Sequence, residues 1–325
     1  MLYAIITLIR KLSVSCVKRP SRRDSVSNLA FRVRYLRRSR ELYRRYLESK
    51  PWVKQLYSSF FNITRGQQIV EVGCGTGDFT RYLAEISEGK ARILGIDSNA
   101  KSVKAAIADS NKVGLSQVTS YMTGDVYNIP LESGYADLAC YRTLLMHLPD
   151  PLRAVTEMAR ITKNGGSVIA VEGGKMASFY DPDDEEYTEL AEQAYSAWIV
   201  GIKKLEGKEF KIGEKLPGIF RKAGLSNIKA EIQADAWLHS DPRRKLSDIR
   251  EDLRFEHSIF KERRRKDRKY LLAGGLSSRW ITSYFNRLAK RTEKKLLEKD
   301  DKLRKDVSFY GATFILVSGT KRQET

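Results

Sequence analysis

From Gln67 onward, short apolar runs alternate with stretches of helical period. "QIVEV" is followed by "FTRYLAEI", "RILGI" by "AKSVKAAIADSNKV". "VTSYMT", "ADLACY" and "SVIAVEG" follow, the last behind "LRAVTEMARIT". Apolar strands of this kind, interleaved with amphipathic helices, predict a parallel sheet covered on both faces. Five strands are readable by Glu172, and two later runs, Ile228–Ala234 and Ala312–Ser318, read as further strands. Between them lie two long helical stretches, about Asp184 to Leu205 and about Leu246 to Leu303. Insertions of that length are too long for plain loops, and they predict helices roofing one edge of the sheet. Ahead of the sheet, residues 19–45 open with a turn and become helix-like, with Leu36, Tyr43 and Leu47 near one face among arginines.

Charge divides the chain further. The formal net charge is +19, but residues 1–50 carry 14 Lys and Arg against 3 Asp and Glu, whereas residues 51–175 carry 13 against 12. The pattern predicts a basic N-terminal helical arm (1–50), a neutral core (51–176), and a remainder (177–325) holding the last strands and the helical insertions. A basic flank attracts polyanions: anionic lipid, nucleic acid or acidic protein. The opening "MLYAIITLI" ends at Arg10 and Lys11, too short to span a bilayer and with its charges on the wrong side for a secretory signal. Packing on the domain, lying at a membrane surface, or forming a loose tail all remain open for it. The three cysteines, Cys16, Cys74 and Cys140, are far apart, which argues against a disulfide framework or a zinc site and fits a reducing, cytoplasmic setting.

The candidate chemistry sits where strands end. Residues 69–77 read "IVEVGCGTG". Gly73, Gly75 and Gly77 allow tight turning and close backbone approach to a ligand. The spacing is G-x-G-x-G rather than the G-x-G-x-x-G of a dinucleotide site, and an acid, Glu71, precedes it by two residues. A carboxylate there repels pyrophosphate and welcomes a cation such as an amino group. The next strand ends in "RILGIDSN", placing Asp97 where a carboxylate can accept from ribose hydroxyls. The third is followed by "TGDVYNIP", where Asp125 can bind an adenine amino group and Val126 can offer its backbone amide. Acids after three neighbouring strands describe a ligand that is cationic at one end, carries a ribose, and ends in a purine.

These segments, with "YRTLLMHLPDPLRAVTEMARITKNGGSVIAVEGG", closely resemble class I S-adenosylmethionine-dependent methyltransferases, and within them the small-molecule subgroup similar to quinone and sterol methyltransferases. The resemblance is strong over about residues 65–175 and weak elsewhere. It implies a Rossmann-like, doubly wound sheet of seven strands, the last antiparallel and supplied by Ala312–Ser318. It implies S-adenosyl-L-methionine as cofactor. Glu71 would face its methionine end beside the loop of Gly73, Cys74, Gly75 and Gly77. Asp97, with Ser98 beside it, would hold the ribose, and Asp125 and Val126 the adenine. Tyr141 and Arg142, ending the fourth strand, would line the mouth near the sulfonium. The family usually has a proline where Asn164 stands, a departure that touches a turn.

His147 follows the fourth strand and could act as a base near neutral pH; orienting or packing beneath its loop is the competing role. Tyr141 is divided between cofactor wall and acceptor contact. Cys74 and Cys140 read as packing residues. Tyr187, Tyr195 and Trp198 have the spacing of a core-facing aromatic helix face, and "KERRRKDRK" at 261–269 that of a solvated one. The expected acceptor is a small-molecule or lipid-like compound, with an anionic membrane surface as docking place. The alternative is an RNA or protein acceptor docked on the basic flanks, and a third class is a protein that binds the cofactor without turnover. No metal is implied.

Overall fold

The computed structural model describes residues 50–322. The expected basic arm therefore lies, all but its last residue, outside the described residues, as does Cys16.

A seven-stranded sheet forms with the order β3-β2-β1-β4-β5-β7-β6. Its strands are β1 (Gln68–Val72), β2 (Arg92–Asp97), β3 (Thr119–Thr123), β4 (Ala136–Arg142), β5 (Thr162–Tyr180), β6 (Leu225–Leu238) and β7 (Phe309–Lys321). The first five pair in parallel: β1 lies between β2 and β4, Glu71 registering with Gly95 on one side and Cys140 on the other. One strand of the sheet runs antiparallel. The order reverses at β1, so a crevice opens at the carboxyl ends of β1 and its neighbours, the place where doubly wound sheets bind ligands.

The helices are α1 (Pro51–Phe61), α2 (Asp78–Ile86), α3 (Ala100–Lys112), α4 (Pro151–Ile161), α5 (Glu185–Glu206), α6 (Leu216–Lys222), α7 (Leu246–Ala273), α8 (Ser278–Leu297) and α9 (Asp300–Leu303). Local chemistry starts several of them. Asn99 caps α3 through the amides of Lys101 and Ser102, Asp150 caps α4 through that of Arg153, and prolines open α1 and α4. The expected helical stretch to Leu303 is divided into three helices. It breaks at Gly274 and Gly275, the latter at φ +101°, and again at Glu298 and Lys299. The expected turn at Asn164 is an irregularity inside β5: the register jumps from Ala136↔Thr162 to Leu138↔Ser167, with Gly165 at φ +78°.

Two compact units result. The first holds the described residues up to Gly173, Lys211–Gln233, and those from Phe314 on. Its core packs Val53, Tyr57 and Phe61 of α1 and Phe79 and Leu83 of α2 against Ile69, Leu138, Ile169 and Leu316 of the sheet. The second holds Gly174–Phe210 and Ala234–Thr313. Within it α5 and α7 cross so closely that a Cβ on Gly201 would lie 1.8 Å from the carbonyl oxygen of Tyr270. Tyr187, Tyr195 and Trp198 are core residues there, and the Trp198 indole N–H donates to Asp267. The 261–269 stretch is not wholly a solvated face: Arg263 and Asp267 are buried and face each other one turn apart, 3.6 Å between them. Among the described residues no helix is long and apolar enough to cross a membrane.

Candidate active site

Each element of the first unit delivers one piece of the site. β1 ends at Val72, and the chain turns through Gly73, Gly75 and Gly77 at φ +75°, +55° and +73°. Side chains disfavour this left-handed region, so the loop shape depends on glycine. The amides of Gly73 (2.7 Å) and Cys74 (3.0 Å) both donate to the Ile96 carbonyl of β2, tying the loop to the next strand. A Cβ on Gly73 would come 2.7 Å from Leu144 Cδ1, and one on Gly77 2.6 Å from the Tyr121 hydroxyl. The amino end of α2 starts directly after Gly77, its first-turn N–H groups a favourable place for negative or polar ligand atoms.

Glu71 is buried, and the Thr80 hydroxyl of α2 donates to it. Burial pushes its carboxyl up to about 7; the Thr80 hydrogen bond and the charge of Arg142 pull the other way. Arg142 is itself buried, its guanidinium 5.5 Å from the ring centre of Phe79 and 5.4 Å from that of Phe314. A carboxyl poised near neutrality beside a buried cation ionises readily when a further positive group arrives.

Asp97 ends β2 and is buried. Its Oδ2 accepts from the Gly75 amide (2.8 Å) and its Oδ1 from the Asn99 amide (2.9 Å). Burial raises its pKa and these two N–H groups counter the rise. Asp97 thus braces the glycine loop across from β1, while each oxygen keeps a lone pair. Ser98 beside it is exposed. Beyond β3, Asp125 is exposed, Val126 half-buried, and the Tyr127 amide donates to Asp125 Oδ1 (2.9 Å). Sequence-predicted Glu71, Gly73, Cys74, Gly75, Gly77 and Asp97 are thereby gathered at the ends of β1 and β2; Asp125 and Val126 follow the neighbouring strand.

Tyr141 and Arg142 end β4 with both side chains buried, so their side chains belong to the interior. Burial lifts the Tyr141 phenol well above its ordinary value, with Glu172 adding to the rise. His147 closes a short 3₁₀ turn, its amide donating to the Leu144 carbonyl (3.0 Å), and is half-buried. Cys74 and Cys140 are buried with thiols pushed up by desolvation, which suits packing and not reactivity.

Sequence reasoning missed four residues. Thr80 and Tyr121 reveal themselves only through contacts with Glu71 and Gly77. Leu144 reveals itself only by packing on Gly73. Glu172 carried a legible signal: it is an acid ending an apolar strand, as Glu71 is.

Fold and site define the class first: a doubly wound α/β domain whose glycine loop and strand-end acids suit a ribose-bearing ligand with a cationic end. The family follows. Residues 70–170 match the family model described as a methyltransferase domain. A demethylmenaquinone methyltransferase of Staphylococcus epidermidis is 26% identical over 163 residues, covering 50% of this chain and 62% of that protein. That of Bacillus subtilis is 25% identical over 193 residues, covering 56% and 80%. The chain thus spans less than two thirds of the length of the first relative. The structure of phosphoethanolamine N-methyltransferase 2 from Haemonchus contortus, solved with S-adenosyl-L-methionine, aligns at a TM-score of 0.44 and 19% identity, covering 82% of this chain and 51% of that one.

Proposed function

We propose that the protein transfers a methyl group from S-adenosylmethionine to a small-molecule or lipid-like acceptor. The observation that supports it best is the pairing of Asp97 with the amide of Gly75, beside a buried Glu71 poised near neutrality, inside a matched methyltransferase domain.

The donor set suits the cofactor part by part. Glu71 is proposed to meet its ammonium end, next to Gly73, Cys74, Gly75 and Gly77. Asp97 and Ser98 are proposed for the ribose, Asp125 and Val126 for the adenine, and the end of β4 at Tyr141 and Arg142 for the mouth near the sulfonium. When bound, the sulfonium supplies a methyl group already activated by a neutral thioether leaving group. The chain then has to align, hold and keep water out rather than to activate. The glycine loop does the holding, fixed to the end of β2 by the Ile96 carbonyl and the Asp97 carboxylate. His147 is the proposed proton acceptor where the methyl acceptor must lose a proton.

The names of the relatives make a quinone-type ring the acceptor to test first. The basic excess of residues 1–50 makes an anionic membrane surface the proposed docking place. The experiment is to incubate the protein with methyl-labelled S-adenosylmethionine and, separately, reduced quinone-type lipids, total lipid extract and total RNA. Label entering a lipid-extractable product is the expected result. Label entering RNA alone, or no transfer into any fraction, contradicts the proposal.

A further inference from the structure

Val171 of β5 registers with Arg142, the last residue of β4, so Glu172, within β5, stands one position past the carboxyl end of β4. It is fully buried, at the end of a run in which Val168, Ile169, Ala170 and Val171 are all buried too. Such a position favours an apolar side chain on stability grounds alone, because burying a carboxyl is costly. Its Oε1 accepts from two successive backbone amides of the turn after β4, Leu144 (2.8 Å) and Leu145 (2.6 Å). Its Oε2 has no hydrogen-bond partner among the described residues. Burial holds the carboxyl up to about 8, opposed by these amides and that of Met146.

The turn it grips is unusual. Thr143 opens it at φ +52°, a left-handed conformation that a β-branched residue adopts only under constraint. Its amide donates to the Val171 carbonyl (2.8 Å), one residue before Glu172. The next residue, Leu144, packs against Gly73, the first glycine of the loop proposed to hold the cofactor. His147 ends the same turn. A continuous chain of contacts therefore runs from the Glu172 carboxyl through the Leu144 amide and side chain to Gly73.

We propose that Glu172 is a positioning residue. It clamps the Leu144–Leu145 amides, holds the left-handed start of the turn, and so sets Leu144 as the wall that keeps the glycine loop in its binding shape. This deepens the cofactor assignment of the preceding section and rests on it.

The test compares Glu172→Ala, Glu172→Gln and Leu144→Ala with the wild type. Each is read by circular dichroism for fold, amide exchange at residues 144 and 145, and calorimetric titration of S-adenosylmethionine. Glu172→Gln keeps a carbonyl acceptor for the two amides and should stay within about threefold of wild type in exchange and affinity. Glu172→Ala should exchange those amides at least about tenfold faster and bind at least about tenfold more weakly. Leu144→Ala should weaken binding while leaving the Leu145 amide protected, and it carries the test should Glu172→Ala fail to fold. Wild-type affinity in folded Glu172→Ala or in Leu144→Ala would overturn the proposal, as would equal losses in Glu172→Gln and Glu172→Ala. If the wild type itself bound no S-adenosylmethionine, the cofactor assignment would fall and this role with it. Binding by the wild type alongside an inert Glu172→Ala substitution would remove this role alone.

Discussion

Glu71 shows what one buried side chain asks of the protein. Its carboxyl titrates at about 7 in the folded chain against about 4.5 when unfolded. The folded state therefore keeps a proton that the unfolded state has lost between those values, and stability falls as pH rises through the window. The contribution is fully present below about pH 4.5 and gone above about pH 7. Glu71→Gln should raise the melting temperature of the ligand-free protein above the wild type's by an increment that grows from pH 5 to pH 7.5. The increment corresponds to about 3 kcal/mol at most. An increment independent of pH would refute this account of the group. Binding should show the opposite preference. A cation beside Glu71 favours its charged form, so the substitution should weaken S-adenosylmethionine binding about tenfold at pH 8 and clearly less at pH 6. Comparing both proteins at both pH values cancels the titration of the ligand's own amine; an identical ratio at pH 6 and 8 would count against the assignment.

At the scale of elements, what the sequence made legible and what it hid have different physical origins. The alternation of strand and helix from Gln67 to Glu172 was readable because buried parallel strands are short apolar runs with nowhere to expose a polar face. Glu71 and Asp97 stood out because each breaks such a run at its end. Glu172 breaks one in the same way, but its partners are amides 27 and 28 residues earlier, and no local pattern records them. The same holds for Thr80 and Leu144. The strands β5, β6 and β7 extend well past the runs that announced them, because pairing with a neighbour, not periodicity, decides where a strand stops. The crossing of α5 and α7 was equally hidden. It can be tested by contrast: Gly201→Ala pushes a methyl group into the Tyr270 carbonyl and should cost about 2 kcal/mol or more. Gly218→Ala, in α6 with open space around its Cβ position, should be neutral or gain about 0.5 kcal/mol. Urea denaturation measures both, and equal stabilities for the two variants would contradict the close crossing.

For the whole molecule, charge and fold divide the labour. The core between residues 51 and 175 is nearly neutral, while most of the positive excess lies in the first fifty residues. If that arm docks the protein, a chain lacking residues 1–30 should sediment with acidic liposomes markedly less than the full chain, and the difference should shrink in high salt. Identical sedimentation would dismiss membrane docking by the arm without touching the catalytic assignment. That assignment rests on strand-end acids gripping one adenosyl-bearing cation along the carboxyl edge of the sheet. Its most direct test is calorimetric titration of S-adenosylmethionine into the wild type and Asp97→Ala. The predicted result is saturable binding by the wild type and at least about a tenfold loss in the variant, since the buried carboxylate that braces Gly75, and that is proposed to hold the ribose, is removed. No heat with the wild type, or unchanged affinity in Asp97→Ala, would contradict it.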